Sequence, residues 1–392
     1  MTSEWNHSTI SDVCVLVTDG SHSSPKSVND GEYMVSVKDF TDYGFDFTSC
    51  RMISHDDYEI LKKNGCVPQI DDILIGKDGA RFFEDIIIYR QREKPALLSS
   101  IAILRCDKSK ILPDFLYYAL RTPSFRQDVK DNYGSGSAIP RIILKDFKRM
   151  MVSYPSLEKQ QSIISVLTAI DSKIQTNTEI NDNLQQQAAA LFSSLYDRTN
   201  TEVRFTDLIQ ILGGGTPKTG ENTYWNGNIA FFTPKDVGTP YTLITEKTIT
   251  EEGLSHCNSR LYPVNTVFVT ARGTVGKVGM SGVPMAMNQS CYALVGKETH
   301  QLLVYFYTLK AVDRLKHKAS GAVFDAITTR DFESEQIMKL SDDDAKSFLC
   351  IAEPMFQKVL NNSIENQRLS TLRDSLLPKL MSGEIDVSSV HL

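Results

Sequence analysis

Apolar side chains recur at alternating spacings of four and three residues through the middle of the chain. The stripe consists of Ile163, Leu167, Ile170, Ile174, Asn177, Asn181, Leu184, Ala188, Leu191 and Leu195, so that asparagine takes two of the slots. This spacing aligns the side chains along one face of a helix and is typical of a coiled-coil seam. Pro155 and Ser156 supply a helix start, so the pattern predicts a helix over residues 157–197 that is about 60 Å long.

A second stripe of the same kind lies near the end of the chain. It consists of Phe348, Ala352, Met355, Val359, Asn362, Asn366, Leu369, Arg373, Leu376 and Leu380. The asparagines occupy the same slots in both stripes, which favours a pair of helices over two unrelated buried faces. Pro354 predicts a kink or a restart inside the second helix, and Pro378 and Gly383 predict its end.

The asparagines also indicate the direction of pairing. Asn177 and Asn181 lie at the middle of the first stripe, and Asn362 and Asn366 lie at the middle of the second. Antiparallel helices would therefore bring the four amides together, where they can hydrogen-bond to one another and fix the register. Parallel helices would match them too, but the first helix must run from one globular part to the next and the second must return. We therefore expect an antiparallel pair.

The segments before the two helices form an internal repeat. The matched segments are Val37–Asp39 with Pro234–Asp236, Pro68–Gly79 with Pro263–Gly273, Leu98–Ser100 with Asn288–Ser290, and Gly136–Phe147 with Gly321–Phe332. Short β-branched runs and a helical stretch in each copy predict a mixed domain. The expected fold class is α+β, with two globular α/β domains joined by two long antiparallel helices in a pseudo-twofold repeat. The predicted boundaries are 1–154 for the first domain, 155–198 for the central helical spacer, 199–340 for the second domain and 341–392 for the C-terminal helical spacer.

Composition limits the possible functions. The 392 residues include 42 basic and 48 acidic side chains, a net charge of -6, and 41% of them are apolar. Such a chain can bury real cores, and its acidity excludes a protein that coats nucleic acid through bulk charge. With no run of about 18 apolar residues and no leader-like N-terminus, we expect a soluble cytoplasmic protein without a membrane partner. The seven cysteines contain no CxxC pair and are expected to be buried, reduced thiols.

Motifs for catalysis are missing from the sequence. It contains no GxxxxGK[ST] loop, no HExxH, no metal-spaced His/Cys cluster and no Asn/Asp-Pro-Pro-Tyr motif. Gly273–Gly276 resembles a fragment of a phosphate loop but lacks the first glycine. The nuclease-like Asp-x-Lys pairs at Asp171–Lys173 and Asp344–Lys346 lie in the helical segments, where a solvated ion pair is the simpler interpretation. The sequence predicts a non-catalytic chain without a metal site.

Several motifs together resemble the specificity subunits of type I restriction-modification systems. They are Pro155–Gln161, Gly214–Pro217, Tyr224–Trp225, Thr233–Asp236, Arg272–Gly276, Asn288–Gln289, Ser320–Phe324 and Leu376–Ile385. The resemblance covers nearly the whole chain. It is weaker in the first domain, where Asp19–His22 replaces the glycine run and Leu98–Ser100 replaces Asn-Gln-Ser.

The resemblance implies two target-recognition domains and two helical spacers that bind double-stranded DNA, two methyltransferase subunits and, for cleavage, restriction subunits that translocate DNA. This chain would carry no cofactor of its own, because S-adenosylmethionine, ATP and Mg²⁺ would bind to the partner subunits. Two unlike domains on antiparallel helices would read a bipartite, asymmetric site. The seam from Ile163 to Leu195, about 48 Å long, corresponds to between one and two turns of B-DNA and would set the unread gap.

The candidate DNA contacts are basic residues in or near glycine-rich loops of both domains. Lysine and arginine neutralise phosphates, and arginine can also read guanine in the major groove. For each residue, a solvated surface charge is the competing interpretation. The candidates are Lys77, Arg81 and Arg141 in the first domain, and Lys218, Arg272, Lys277, Lys318 and Arg330 in the second.

Two other classes of protein share some of these features. A structural coiled-coil scaffold that joins two protein-binding or sugar-binding modules would have the same helices, but it would show no DNA preference in the presence of partner subunits. A single-chain nuclease or methylase would act alone when given its cofactor. Tests of DNA binding and of methylation by the isolated chain separate these alternatives from a specificity subunit.

Overall fold

The computed structural model describes residues 5–134, 140–238, 240–318 and 326–387. Within these ranges the chain forms two compact units. Unit 1 comprises Met1–Ser172 and Leu369–Leu392, and unit 2 comprises Lys173–Arg368. Each unit therefore contains one globular domain together with part of each long helix.

The globular domain of unit 1 combines short strands with five short helices among its described residues. In chain order its elements are β1 (Asn6–Thr9), α1 (Ile10–Val13), β2 (Cys14–Asp19), β3 (Glu32–Val35), β4 (Phe40–Thr41), β5 (Gly44–Phe45), β6 (Arg51–Ile53), α2 (His55–Lys63), β7 (Ile73–Gly76), β8 (Ile86–Ile88), β9 (Ala96–Leu97), β10 (Ile101–Cys106), α3 (Pro113–Leu120), α4 (Pro123–Asn132), α5 (Leu144–Arg149) and β11 (Met151–Tyr154). The long helix α6 (Leu157–Tyr196) follows.

An antiparallel sheet in the order β2-β10-β7-β8 forms the centre of this domain. Its middle strands β7 and β10 are runs of branched apolar residues because both faces of the sheet are covered. One face packs against α3 and the long helices through Ile73 and Leu104, and the other packs against Phe45 through Leu74. The sheet is thus the rigid support for the loops at its ends.

The globular domain of unit 2 has the same kinds of elements. They are β12 (Glu202–Arg204), α7 (Phe205–Leu208), β13 (Ile209–Gly213), β14 (Trp225–Phe232), β15 (Tyr241–Thr242), β16 (Lys247–Ile249), α8 (Glu251–Ser255), β17 (Val267–Thr270), β18 (Val278–Ser281), β19 (Met285–Met287), β20 (Cys291–Gly296), α9 (Gln301–Lys318), α10 (Thr329–Ser334) and β21 (Gln336–Met338). The second long helix, α11 (Asp342–Ser382), follows. The main sheet has the order β13-β20-β17-β18-β15.

The two domains repeat the same backbone pattern, as the sequence predicts. The strands β13, β20, β17 and β18 pair in the same order and the same antiparallel sense as β2, β10, β7 and β8. The matched segments around Asp39 and Asp236 form the same turn, in which the aspartate accepts a backbone N–H at 2.7 Å from Ser36 or from Thr233. Together with the two long helices, this arrangement confirms the predicted α+β fold class.

The long helices run antiparallel, and their asparagine amides meet as predicted. In unit 2, Asn177 Nδ2 donates to Asn366 Oδ1 at 2.9 Å, and Asn362 Nδ2 donates to Asn181 Oδ1 at 2.8 Å. The lower residue number of one helix pairs with the higher number of the other, which is the antiparallel register. Asn177 also donates to Glu365 at 2.8 Å, and Glu365 lies just outside the predicted seam.

In unit 1 the two long helices are joined by an ion pair and not by asparagine amides. Arg373 takes an apolar slot of the second stripe, and its guanidinium lies 2.8 Å from the carboxylate of Asp171 on α6. Tyr118 donates to the other oxygen of that carboxylate at 2.7 Å. The Asp-x-Lys pair that begins at Asp171 is therefore part of a helix-helix ion pair, and its role in this structure is structural.

Two predictions about local structure were wrong in part. The helix does not restart at Pro354, because α11 continues through it from Asp342 to Ser382; the apolar face of α11, with Phe348 and Ala352 fully buried, outweighs the one missing backbone hydrogen bond. Cys350 is exposed, although four other cysteines are buried. Gly383 follows the helix with a φ of 77° and marks its end as predicted, whereas Pro378 lies inside α11.

Candidate nucleic-acid interface

Three connections of the second domain meet at one end of its main sheet. Strand β13 ends with Gly213 opposite Tyr292, and β17 ends with Thr270 opposite Cys291. Both strands therefore end beside the start of β20. The segments that continue from this edge are residues 214–218, 271–277 and 288–290, which we call the recognition loops of the second domain.

Backbone hydrogen bonds hold the recognition loops together. The amide of Gly215 donates to Met287 O at 3.0 Å, and the amide of Ala271 donates to Ser290 O at 2.8 Å. The amide of Ile327, which precedes α10, donates to Ala271 O at 2.9 Å. Because the backbone makes these bonds, the exposed side chains of the loops can vary without loss of the framework.

Two glycines are needed for this geometry. A β-carbon at Gly214 would lie 2.2 Å from the carbonyl oxygen of Asn288, so a larger residue would push the first loop away from the third. Gly273 has a φ of 81°, in the left-handed region that favours glycine. These glycines shape the turns.

The recognition loops carry exposed cations. Arg272 and Lys277 lie near the two ends of the β17–β18 turn, and Lys218 ends the loop after β13; all three are exposed. Arg330 is exposed in the first turn of α10, three residues after the Ile327 contact. Among the residues that the structure describes, no carboxylate oxygen lies within 4.0 Å of any of these four charged groups. They are available to bind anions.

The sequence analysis missed one cation at this edge. Lys316 of α9 packs against the β17–β18 turn, because a β-carbon at Gly276 would lie 2.6 Å from Lys316 Cε and 3.4 Å from its Nζ. Lys316 is exposed and, within the described ranges, has no carboxylate partner. The available signal was the basic last turn of α9, which contains Lys316, His317 and Lys318.

Lys318, the residue that was singled out in that turn, is already paired. Its amine hydrogen-bonds to Glu335, whose side chain is completely buried. Arg314 Nε lies 2.9 Å from the other oxygen of the same carboxylate. Glu335 thus anchors the end of α9 beside the recognition loops, and a DNA contact by Lys318 stays a prediction.

One exposed glutamine is held in place by a threonine. Thr216 Oγ1 donates to Gln289 Oε1, which joins the loop after β13 to the β19–β20 turn. The amide nitrogen of Gln289 keeps its donor hydrogens for another partner. Glutamine is one of the side chains that can hydrogen-bond to adenine in the major groove. Gln289 appeared in the sequence only within the Asn-Gln motif, and its orientation required the three-dimensional contact.

The first domain builds the equivalent edge with the same backbone bonds. The amide of Ser21 donates to Leu97 O at 2.7 Å, the amide of Lys77 to Ser100 O at 2.9 Å, and the amide of Ile142 to Lys77 O at 3.0 Å. We call residues 20–26, 77–85 and 98–100 the recognition loops of the first domain. Lys77 occupies the position that Ala271 has in the second domain.

The candidate cations of the first domain have acidic neighbours. The amine of Lys77 is buried and lies 3.3 Å from Asp19 and 3.8 Å from Asp78. Arg81 is exposed, and its hydrogen bond to Asp85 at 2.7 Å raises the pKa of the guanidinium. Arg141 is exposed and pairs with Asp78 in an isolated β-bridge. A DNA contact by any of these three residues stays a prediction.

Part of the predicted surface lies outside the described residues. This applies to the Ser320–Phe324 motif and to the start of the matched segment at Gly136. Across the described ranges, no group of three or more His, Cys, Asp or Glu side chains is arranged to hold a metal ion, and no helix is long and apolar enough to cross a membrane. Burial raises the pKa of Cys291, at the start of β20, to about 12, so this thiol is protonated at neutral pH.

A family comparison agrees with the site. The family described as "Type I restriction modification DNA specificity domain" matches residues 2–186 and 198–339, one stretch for each repeat. These stretches cover most of the chain. The chain belongs to the family of type I restriction-modification DNA specificity domains, which confirms the resemblance drawn from its motifs.

Named relatives point to the same class. The chain is 24% identical to the type I restriction enzyme HindI specificity subunit of Haemophilus influenzae, with 72% of this chain and 80% of that protein aligned. It is 23% identical to the MjaIX specificity subunit of Methanocaldococcus jannaschii, with 72% and 71% aligned. The chain is thus a DNA sequence-specificity subunit, and the expectation of a non-catalytic subunit is confirmed by its family.

A solved structure supports the fold. The crystal structure of a type I restriction-modification S subunit from M. genitalium superposes with a TM-score of 0.59 and 15% identity, and the match covers 97% of this chain and 96% of that one. At this identity the likeness concerns the fold alone.

Proposed function

We propose that this chain reads a bipartite, asymmetric DNA site, with one half read by each globular domain. The observation that carries the proposal is that the two sets of recognition loops share one backbone framework but present different side chains. Both sets use the same three backbone hydrogen bonds, but Lys77 and Asp78 stand where the second domain has Ala271 and Arg272. Equal scaffolds with unlike side chains are suited to two readers of unlike sequence.

The side chains at the second domain support direct reading. Gln289 presents amide hydrogens that can pair with adenine, and Arg272 can pair with guanine or bind a phosphate. Lys218, Lys277 and Arg330 add positive charge around them. Arginine and lysine contacts to phosphate position a protein on the duplex, and the amide and guanidinium groups provide sequence selectivity.

In this proposal the long helices set the unread gap between the half-sites. Helix α6 has 40 residues and α11 has 41. The paired amides of Asn177, Asn181, Asn362 and Asn366 fix their register, which a spacer of constant length requires. The helices would also hold two methyltransferase subunits and, for cleavage, restriction subunits. S-adenosylmethionine, ATP and Mg²⁺ would bind to those partners.

A domain exchange tests independent reading. Residues 199–340 are replaced by the corresponding segment of a family member with a known site, and the variant is expressed with the methyltransferase subunits. Sequencing of modified bases should show one new half-site and one unchanged half-site. A change in both halves, or in neither, would contradict the proposal.

A paired deletion tests the spacer. Removing residues 174–180 together with 363–369 takes one heptad from each helix and keeps the Asn181–Asn362 pair. Each helix becomes shorter by about 10 Å, so the gap should shrink by about three base pairs while both half-sites stay the same. Deletion of 174–180 alone is the control, because it breaks the register and should abolish modification. An unchanged gap in the paired deletion would refute the spacer role.

A further inference from the structure

The β7–β8 turn of the first domain (residues 77–85) and the β17–β18 turn of the second (residues 271–277) occupy equivalent positions. Each turn begins with an amide that donates to the serine before β10 or β20. Two residues later each has a glycine in the left-handed region, Gly79 with a φ of 95° and Gly273 with a φ of 81°. Asp78 and Arg272 therefore stand at matching places, with opposite charge.

The cations around the first turn are paired with carboxylates. Lys77 and Asp19 form an ion pair at 3.3 Å with side chains that are only 9% and 8% exposed, so this amine is turned away from solvent. Arg81 pairs with Asp85 at 2.7 Å and with Glu84 at 3.8 Å. Lys130 of α4 lies 3.9 Å from Glu84, so with Asp78 included three cations face four carboxylates around this turn.

The second turn has no such compensation among the described residues. Arg272 and Lys277 are exposed, and Lys316 lies against the turn at Gly276. Where the first domain has the Lys77–Asp19 pair, the second has Ala271 and Gly213, neither of which carries a charge. Two positive groups on the turn and one from α9 beside it produce a local attraction for phosphate that the acidic chain as a whole does not have.

We propose that the β17–β18 turn binds DNA phosphates through Arg272, Lys277 and Lys316, and that the equivalent β7–β8 turn makes no net phosphate contact. The inference rests on the proposed function, since it assigns unequal roles to two DNA-reading edges. The inference concerns these two turns only. Lys26 and Lys38 are exposed elsewhere in the first domain and are unchanged in every variant described below, so they do not affect the comparison between variants.

The salt dependence of binding measures this difference. Each phosphate that a protein cation neutralises adds about 0.9 to the slope of log K against log salt for duplex DNA. The double substitution Arg272→Gln with Lys277→Gln should therefore lower the slope by about two. Arg81→Gln is the matched control: it makes the same chemical change to an exposed arginine of the equivalent turn, and it should leave the slope unchanged because Asp85 already neutralises that group.

The experiment uses the full chain assembled with its methyltransferase subunits. Fluorescence anisotropy of a labelled mixed-sequence duplex is measured over a series of KCl concentrations for the wild type, the double variant and Arg81→Gln. A fourth variant, Asp78→Arg, gives the first turn the side chain that the second has at the matching position and should raise the slope by about one. Circular dichroism melting shows that each variant is folded.

The outcomes distinguish failure of this inference from failure of the proposed function. A loss of slope in the double variant with none in Arg81→Gln supports the inference. Equal losses in both, or no loss in the double variant, overturn it and leave the proposed function standing. Failure of the wild-type complex to bind any duplex, at any salt concentration, would overturn both.

Discussion

The buried Asn181–Asn362 pair allows an asymmetric prediction about stability. Asn362 is 1% exposed, its nitrogen donates to Asn181 at 2.8 Å, and its oxygen has no hydrogen-bond partner among the described residues. Asn181 is 7% exposed; its oxygen accepts the hydrogen bond from Asn362, and its nitrogen donates to Ser363 Oγ over a longer distance of 3.4 Å. Replacing one asparagine by leucine therefore has a different consequence from replacing the other.

Asn181→Leu should be the more costly change. It leaves the amide nitrogen of Asn362 buried without a partner, beside an oxygen that is already unpaired in the wild type. One newly unpaired buried group costs about 1–3 kcal/mol, so we expect a loss of about 2 kcal/mol. Asn362→Leu removes an oxygen that is already unpaired and leaves Asn181 with its contact to Ser363. We expect this loss to be smaller by about 1 kcal/mol.

The double substitution should recover most of the loss. With both amides replaced, no buried polar group is orphaned, and two leucines in a seam pack well. The four proteins form a double-mutant cycle, in which the coupling between the positions should be about 1–2 kcal/mol. Urea unfolding of the full chain, followed by helical circular dichroism, supplies the free energies of unfolding. Asn361→Leu is the control, because Asn361 is exposed beside the seam and should change stability by less than about 0.5 kcal/mol.

Two results would refute this reasoning. Equal or reversed losses for the single variants would mean that the unpaired oxygen of Asn362 does not affect stability. Losses that simply add in the double variant would mean that the two amides do not interact across the helices.

Three further predictions concern other contacts of the helices. The hydrogen bond from Asn177 lowers the pKa of Glu365. The stabilisation by this hydrogen bond is therefore present above the ordinary glutamate pKa and is lost as the pH falls through the lowered pKa, so the urea midpoints of the wild type and Glu365→Gln should converge as the solution is made more acidic. Phe192, 1% exposed among four aromatic rings, should cost about 3–5 kcal/mol as Phe192→Ala, measured by thermal and urea unfolding. Arg373→Met should cost about 1–3 kcal/mol because it leaves Asp171 without its cation, and adding Asp171→Leu should restore stability; no recovery would contradict this.

Periodicity made the helices predictable from the sequence. An a/d stripe that places asparagine in the same slots twice specifies both the helices and their partner, and Asn177–Asn366 and Asn181–Asn362 contacts follow from the antiparallel arrangement alone. The effect of Pro354 was not predictable in the same way. A local rule indicated a break, but the burial of the surrounding helix face decided the outcome.

The recognition surface was only partly predictable. Glycine-rich motifs located the loops correctly because glycine is needed where Gly214 approaches a neighbouring backbone. They did not indicate which cations are neutralised, since Lys77 and Asp19 are far apart in the sequence and meet only through the pairing of strands β2, β10 and β7. For the same reason Lys316, which reaches the β17–β18 turn from α9, was missed.

The most direct test of the central claim is a genome-wide map of modified bases in cells that express the methyltransferase subunits with and without this chain. We expect modification at one bipartite sequence with two different halves and a fixed gap, and only when the chain is present. Modification that is the same without the chain, or that occurs at one continuous symmetric sequence, would contradict it.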